Sequence, residues 1–342
     1  MTGERPSLRA SRAKSRGDPG RARSAYFGID LGGTKVAVAL VDEGGRVVAQ
    51  GRQLIHHGAA SLVLDDILAC LTSVGVPRGY RPRGAGVGVA GQVRRSDGMV
   101  LYAPNLKWRN YPLGHRLRAA LRLPVVVTND VQAETYGEWH RGAGRAANDL
   151  LCVFIGTGVG GGVVTDGRLL SGAAHAFGEV GHSMLVAGGR RCHCPASGCI
   201  EAYVSGWAIA VRAQEAVRRT PELGDDLVRR AGSVEAIAAD TVTEASREGD
   251  PLARQISEET AQFLGLGLAG LVNAFNPSRL VLGGGIIDHH PEYVPVVRRL
   301  VRRLAQPPAA RAVRVVRSAL GPDAGVIGSA LLARDRKAER HP

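Results

Sequence analysis

Tyr26-Phe27-Gly28-Ile29-Asp30-Leu31-Gly32-Gly33-Thr34-Lys35-Val36-Ala37-Val38-Ala39-Leu40-Val41 reads as a strand, a glycine turn and a second strand. The pattern returns at 150–165, as a strand over 150–155, the turn Gly156-Thr157-Gly158-Val159-Gly160-Gly161-Gly162 and a strand over 163–165. Asp166-Gly167 then closes a hairpin. The repetition reads as an internal duplication of one α/β unit. Two similar lobes facing each other leave a cleft, a common seat for a ligand.

Around the first copy the sequence spaces further elements. Runs at 26–30, 36–41 and 46–50 form a β-meander. Helical periodicity covers 62–74, with Val63, Ile67, Leu68 and Leu71 on one side. A buried strand is expected at 84–89, a short helix at 114–121, a strand at 125–128 and a helix at 131–139. Late in the chain a helix over 261–275 stops at Asn276-Pro277, and a strand over 279–282 runs into Gly283-Gly284-Gly285. Residues 1–24 are expected to be a disordered basic tail. Residues 25–128 then form a small N-terminal lobe and 129–321 a larger one, and a helix at about 322–336 packs back on the first.

The 342 residues suffice for two modest domains with a sizeable core. A net charge of +13 raises the question of polyanionic partners. Much of it sits on Arg5, Arg9, Arg12, Lys14, Arg16, Arg21 and Arg23, and on Arg298, Arg299, Arg302 and Arg303, whose spacing fits one solvated helical face. No aromatics interleave with these charges, so no nucleic-acid partner is expected. No apolar run approaches membrane-spanning length and the N-terminus lacks the apolar stretch of a secretory signal, so no membrane partner is expected either. Cys70 and Cys152 lie in apolar runs and read as buried free thiols, which suggests a reducing cytoplasm.

The glycine turns suit phosphates, because glycine lets backbone N–H groups approach an anion without a side-chain clash. In the first, Gly32 and Gly33 supply backbone, Asp30 a carboxylate suited to hydrated magnesium, and Thr34 and Lys35 a hydroxyl and a positive charge. It lacks the Gly-Lys-Ser/Thr order of a Walker loop. The second, with Gly156, Thr157 and Gly158, contains Gly-x-Gly-x-x-Gly but opens a hairpin rather than a helix, which argues against a dinucleotide fold. The third, Gly283 to Gly285, lies at a strand end, where ligands of α/β sheets bind. Each is also explained as a bare structural turn; together they suggest ATP.

Asp130 follows the strand at 125–128 and is the candidate base for removing a hydroxyl proton during phosphoryl transfer, although an Asp there also serves as a helix cap. Asn105 offers a donor and an acceptor on a loop, and Glu179, His182 and Glu201 complete a polar set that suits the vicinal hydroxyls of a sugar. Cys192, Cys194 and Cys199 follow His182 at spacings that fit a closed, structural zinc site. Ligation through one ring nitrogen would orient His182 and leave the other for the substrate, so metal loss is expected to weaken sugar binding more than nucleotide binding.

In order and spacing, the motifs at 28–35, 86–91, 103–106, 129–130, 156–162, 179–182, 192–201 and 283–285 resemble the ROK family (repressors, open reading frames and sugar kinases), within the actin-like ATPase superfamily. The resemblance implies a two-lobed ribonuclease-H-like α/β fold with a central cleft. It implies ATP-dependent phosphorylation of a hexose 6-hydroxyl, glucose first, with an amino sugar (N-acylmannosamine, glucosamine or 3-amino-3-deoxyglucose) as the alternative. Asp130 matches the family base. Asn105, Asn129, Glu179, His182 and Glu201 match sugar contacts, and His182 with the three cysteines matches the zinc ligands. A homodimer or homotetramer is implied.

There are departures. Pro195 stands where the family's metal loop has glycine, Ala90 where proline is usual, and His175 and Phe177 where small residues are usual, so the two bulky side chains are expected to reshape the sugar pocket. Family repressors carry a helix-turn-helix domain before the first glycine motif; about two dozen residues precede it here, so a sugar-responsive repressor, without a DNA-binding domain in this chain, is the less expected alternative. Polyphosphate-using members lack the cysteine loop.

Overall fold

The computed structural model describes residues 22–56 and 60–335. The expected tail lies outside the described residues as far as 21. Its last two residues are strand instead, because Arg23 and Ser24 pair with Tyr80 and Arg81. In chain order the strands are β1 (Arg23–Leu31), β2 (Lys35–Asp42), β3 (Val47–Leu54), β4 (Tyr80–Val89), β5 (Gln92–Arg94), β6 (Met99–Ala103), β7 (Trp108–Tyr111), β8 (Val125–Asn129), β9 (Leu150–Ile155), β10 (Val159–Thr165), β11 (Arg168–Leu169), β12 (Arg279–Gly283) and β13 (Arg314–Arg317).

The duplication is visible in the pairing. One sheet has the order β3-β2-β1-β4-β8 and the other β11-β10-β9-β12-β13. In each, the central strand runs antiparallel to its hairpin partner (β2, β10) and parallel to its other neighbour (β4, β12). The three-stranded sheet β5-β6-β7 has no counterpart in the second half, and the sequence reading did not anticipate it.

Burial explains the layers. Ile29, Leu31, Val87, Val89 and Val127 point into a core shared with Ile67 and Leu71 of the helix Ala60–Val74 and with Leu113 and Leu117 of Leu113–Leu121. The opposite face of β1 and β4 carries Gly28 and Gly86. A β-carbon at either position would fall on the carbonyl of Val326 or Ser329, so the C-terminal helix (Ala324–Asp335) lies directly on the backbone of the first sheet. The larger core lies around β9, β10 and β12 and the helices Gly206–Arg219, Ala239–Glu248 and Pro251–Phe275. Pro251–Phe275 begins well before 261, where Asp250 caps it by accepting the Ala253 N–H at 2.7 Å and Pro251 opens the first turn. Cys70 and Cys152 are buried thiols, as expected. Arg298, Arg299, Arg302 and Arg303 are exposed on the helix Tyr293–Leu304. Among the described residues no helix is long and apolar enough to cross a membrane.

The helix Asp130–Arg141 sits between the sheets, touching β4 and β8 on one side and β9 and β10 on the other. Gly160 and Gly162 of β10 make this contact possible, because side chains there would meet Val131 and Thr135. The glycine turn read over 156–162 is therefore shorter. Only 156–158 is turn, and the later glycines are packing positions in a strand that starts at Val159.

The chain leaves the first sheet after this helix and returns to it after β13, and Glu138 ties both connections. Its carboxylate is fully buried. It accepts Ser318 Oγ–H at 2.6 Å, Leu320 N–H at 2.8 Å and Ala319 N–H at 3.0 Å from the return, and Ala143 N–H at 2.7 Å from the exit. An amide oxygen cannot accept all of these, and its NH2 would face donors. Glu138→Gln is expected to lower stability by about 2–3 kcal/mol in denaturant unfolding.

Candidate functional site

The first turn is Gly32-Gly33-Thr34, closed by the Gly32 N–H to the Lys35 carbonyl at 3.1 Å. Thr34 and Lys35 are exposed and Asp30 is half-buried. A β-carbon on Gly33 would stand 2.9 Å from Cβ of Asn105, so the turn and the Asn105 loop are neighbours. A β-carbon on Gly325 would stand 3.0 Å from Cγ of Asp30, which places that carboxylate at the start of the C-terminal helix.

Asn129 ends β8 and caps the next helix, its Oδ1 accepting the Gln132 N–H at 3.1 Å. The cap is therefore Asn129, and Asp130 is released from that duty. Asp130 Oδ1 accepts Asn129 Nδ2–H at 2.8 Å and the Val131 N–H at 2.9 Å, so both bonds fall on one oxygen. Burial pushes the Asp130 carboxyl up to about 6, with the negative charges of Asp30 and Glu179 adding to the effect against the backbone N–H bonds. Burial also raises Asp30, against the pull of Lys35 and Arg52. Glu134, one helical turn beyond Asp130, is raised well above the carboxylate range by burial and then by Asp130 and Asp30. The sequence reading missed it, although four residues on a helix return to the same face.

The other two turns adjoin each other. Gly283 pairs with Phe154 at the end of β12 and β9. Gly284 has φ +87, and a β-carbon on it would stand 2.5 Å from the Ile155 carbonyl, one residue before Gly156. Only glycine fits there. Gly156 and Gly285 have open space where a side chain would lie. Thr157 is exposed, and the Gly156 carbonyl accepts the Gly206 N–H at 2.8 Å.

His182, Cys192, Cys194 and Cys199 converge, their ligand atoms all within 4.8 Å of one another. His182 Nδ1 lies 3.6 Å from Cys192 Sγ, and the Cys194 and Cys199 sulfurs are also 3.6 Å apart. Tetrahedral zinc, with bonds of about 2.0–2.3 Å, sets ligand atoms roughly 3.5–3.8 Å apart, so the donors fit such an ion in number and type, and these two pairs in spacing. His182 Nε2 points the other way, 4.0 Å from Glu179 Oε2. Pro195 costs the loop no donor, because the N–H on the Cys194 sulfur belongs to Ala196. Gly198 has φ +88 and would clash with Val186 if it carried a side chain.

Glu179 is exposed beside His182. Glu201 is not placed like it. It is 9% exposed, its Oε2 accepts the Val159 N–H at 2.9 Å, and the Trp207 indole N–H reaches its Oε1 at 3.4 Å. Trp207, also missed, stacks on His193 of the metal loop at 4.0 Å. Phe177 is half-buried. Its ring packs against the large core and meets Phe275 edge-on at 6.2 Å. His175 takes a left-handed backbone (φ 57), with Nδ1 buried and without a partner among the described residues.

Residues 26–336 match the model of the ROK family. The chain is 34% identical over 311 residues to a glucokinase of Streptomyces coelicolor, which covers 90% of this chain and 97% of that enzyme. It is 30% identical over 310 residues to an N-acetylmannosamine kinase of Shigella boydii, covering 90% and 98%. The crystal structure of a ROK family glucokinase from Streptomyces griseus in complex with glucose and AMPPNP superposes with a TM-score of 0.80 at 36% identity, covering 91% of this chain and 99% of that one. With the duplicated sheets and the Cys/His cluster, these matches place the chain in the ROK family.

Proposed function

We propose that this protein phosphorylates the 6-hydroxyl of a hexose, glucose first, with ATP as donor. The observation that carries the reading is Asp130: it feels the charges of both Asp30 and Glu179, its bonds to Asn129 and Val131 both fall on Oδ1, and the carboxyl is raised to about 6. A general base works best with a pKa near the working pH. The 36% identical glucokinase that holds glucose and AMPPNP supports the assignment of both substrates.

In this reading Asn105, Asn129, Glu179, His182 and Glu201 hold the sugar in the cleft between the lobes at 25–128 and 129–321. The turns at 32–35 and 156–158 hold the phosphates, and Gly283 to Gly285 the nucleoside. Asp130 Oδ2 takes the hydroxyl proton as the oxygen bonds to the terminal phosphorus; the bond from that phosphorus to the bridging oxygen breaks and ADP leaves. Lys35 offsets charge on the phosphates. Magnesium, when bound near Asp30, supplies further neutralisation of the same charge. Zinc is the ion assigned to the Cys/His cluster, as a structural element.

Only the carboxylate form of Asp130 can accept the proton. The kcat/KM for glucose is therefore expected to fall about tenfold per pH unit below pH 6 and to level off above it. A pH profile at fixed magnesium and ATP checks this, and a profile flat down to pH 5 contradicts it.

The test of the reaction is ADP release over a panel of glucose, mannose, glucosamine and N-acetylmannosamine. Turnover on glucose above the others supports the first choice. The N-acetylmannosamine kinase match favours the amino-sugar reading if that substrate leads. Turnover on none of them, with operator DNA bound, would replace the kinase by a sugar-responsive repressor.

A further inference from the structure

We infer that Glu201 is a positioning residue for the nucleotide turn, through which the metal loop sets the shape of the 156–159 backbone. This rests on the reading of that turn as a phosphate site. Glu201 lies two residues after the ligand Cys199, and its carboxylate points away from solvent. Oε2 accepts the Val159 N–H at 2.9 Å, and a β-carbon on Gly158 would stand 2.8 Å from that oxygen. The carboxylate is thus packed flat against the turn. On its other side Trp207 donates to Oε1, while Cys192 Sγ stands 4.0 Å away. Trp207 in turn stacks on His193, between the ligands Cys192 and Cys194, and its neighbour Gly206 donates to the Gly156 carbonyl. The turn is therefore held at both ends, by Glu201 at Val159 and by Gly206 at Gly156, and Glu201 and Trp207, the residue after Gly206, both touch the metal loop.

The consequence is that metal loss weakens nucleotide binding directly, beside the larger loss expected on the sugar. A sugar contact alone gives Glu201 no influence on nucleotide affinity in the absence of sugar; a positioning role does. The experiment is calorimetric titration of AMPPNP into sugar-free protein: metal-loaded wild type, Glu201→Gln and Trp207→Phe, and wild type after chelation. Glucose is titrated into the same samples, and hydrogen exchange is followed over 156–162. Glutamine can accept from only one of the two N–H donors. Glu201→Gln is expected to bind AMPPNP at least about 10-fold more weakly, the factor that one hydrogen bond to a charged group commands, and to exchange faster over 156–162. Chelated wild type is expected to do the same. Trp207→Phe is expected to lose about 2–4-fold on AMPPNP while its glucose affinity stays within about 2-fold of wild type.

Glu201→Gln that matches wild type on AMPPNP and loses only glucose overturns the inference. If Glu201→Gln does not fold, unchanged AMPPNP affinity and exchange in both Trp207→Phe and the chelated protein overturn it as well. A wild type that binds no AMPPNP contradicts the kinase reading instead, and the positional link is then judged by exchange over 156–162 alone.

Discussion

Asp130→Asn is expected to turn over at least about 100-fold more slowly than wild type, within the ~10²–10⁴-fold range for loss of a general base, while still binding AMPPNP and sugar. The amide keeps an oxygen to accept the Val131 N–H, so the local backbone stays in place. It cannot take a proton from the substrate. The remaining rate comes from positioning by the glycine turns and from charge on the phosphates, which the variant retains.

The same substitution is expected to raise stability at neutral pH. The folded-state value of about 6 lies above the ordinary carboxylate value of 3.8, so the folded protein holds this proton more tightly than the unfolded chain does. Asp130 therefore favours the fold at low pH, and that contribution is lost as the pH rises from about 4 through 6. Asp30 and Glu134 are shifted in the same direction. A neutral side chain at 130 removes one charge from this group, and the Tm of Asp130→Asn should exceed wild type at pH 7 and converge with it toward pH 4. A Tm at pH 7 below that of wild type would mean the carboxylate stabilises the fold, and the reading of its environment would be wrong. Gain of stability with loss of turnover is the pattern of a residue kept for chemistry.

Loss of the metal is the second large effect. Cys199→Ser, or prolonged chelation, is expected to lower stability by about 3 kcal/mol or more, roughly 6–10 °C in Tm, and to weaken glucose binding at least about 10-fold. Without an ion, an imidazole and three thiols are left packed at 3.6 Å with only weak S–H hydrogen bonds between them. The loop does not melt entirely, because Met184 and Cys199 bridge as backbone, Arg191 and Ser197 do likewise, and Ile200 is seated against Gly267. With no ion at Nδ1 to fix the ring, the aim of His182 Nε2 toward Glu179 is lost, and with it a wall of the proposed sugar site. Thermal scans with and without added zinc, and glucose titrations on the same samples, check both parts. A Tm indifferent to chelation, in protein proven to have held the metal, would remove the cluster from its structural role.

What the sequence discloses follows from how local the signal is. Strand–glycine–strand is written within a dozen or so residues, and its recurrence predicted the two sheets before any pairing was visible. Cys-x-Cys-x4-Cys after a histidine carries its own geometry, since four ligands on a short loop have few ways to meet. Asp130 stood out as a carboxylate after a buried strand, and the helix cap that competed for it is Asn129. What the sequence leaves out falls where a distant partner decides. Gly160 and Gly162 look like turn residues, but Val131 and Thr135 pressing on β10 require them as packing positions. Phe177 sits two residues before Glu179, and nothing near it in sequence announces its edge-on contact with Phe275. Glu201 matches a sugar contact, and nothing near it in sequence announces the Val159 N–H across the fold. Trp207 had no sequence signal, because stacking on His193 depends on how the helix Gly206–Arg219 docks on the metal loop.

The decisive measurement is a crystal structure of the metal-loaded protein with glucose and AMPPNP. The account predicts the glucose 6-hydroxyl within about 2.6–3.2 Å of Asp130 Oδ2, facing the terminal phosphate held by the turns at 32–35 and 156–158. A complex with the 6-hydroxyl turned away from Asp130, or with the phosphates seated elsewhere than these turns, would contradict it.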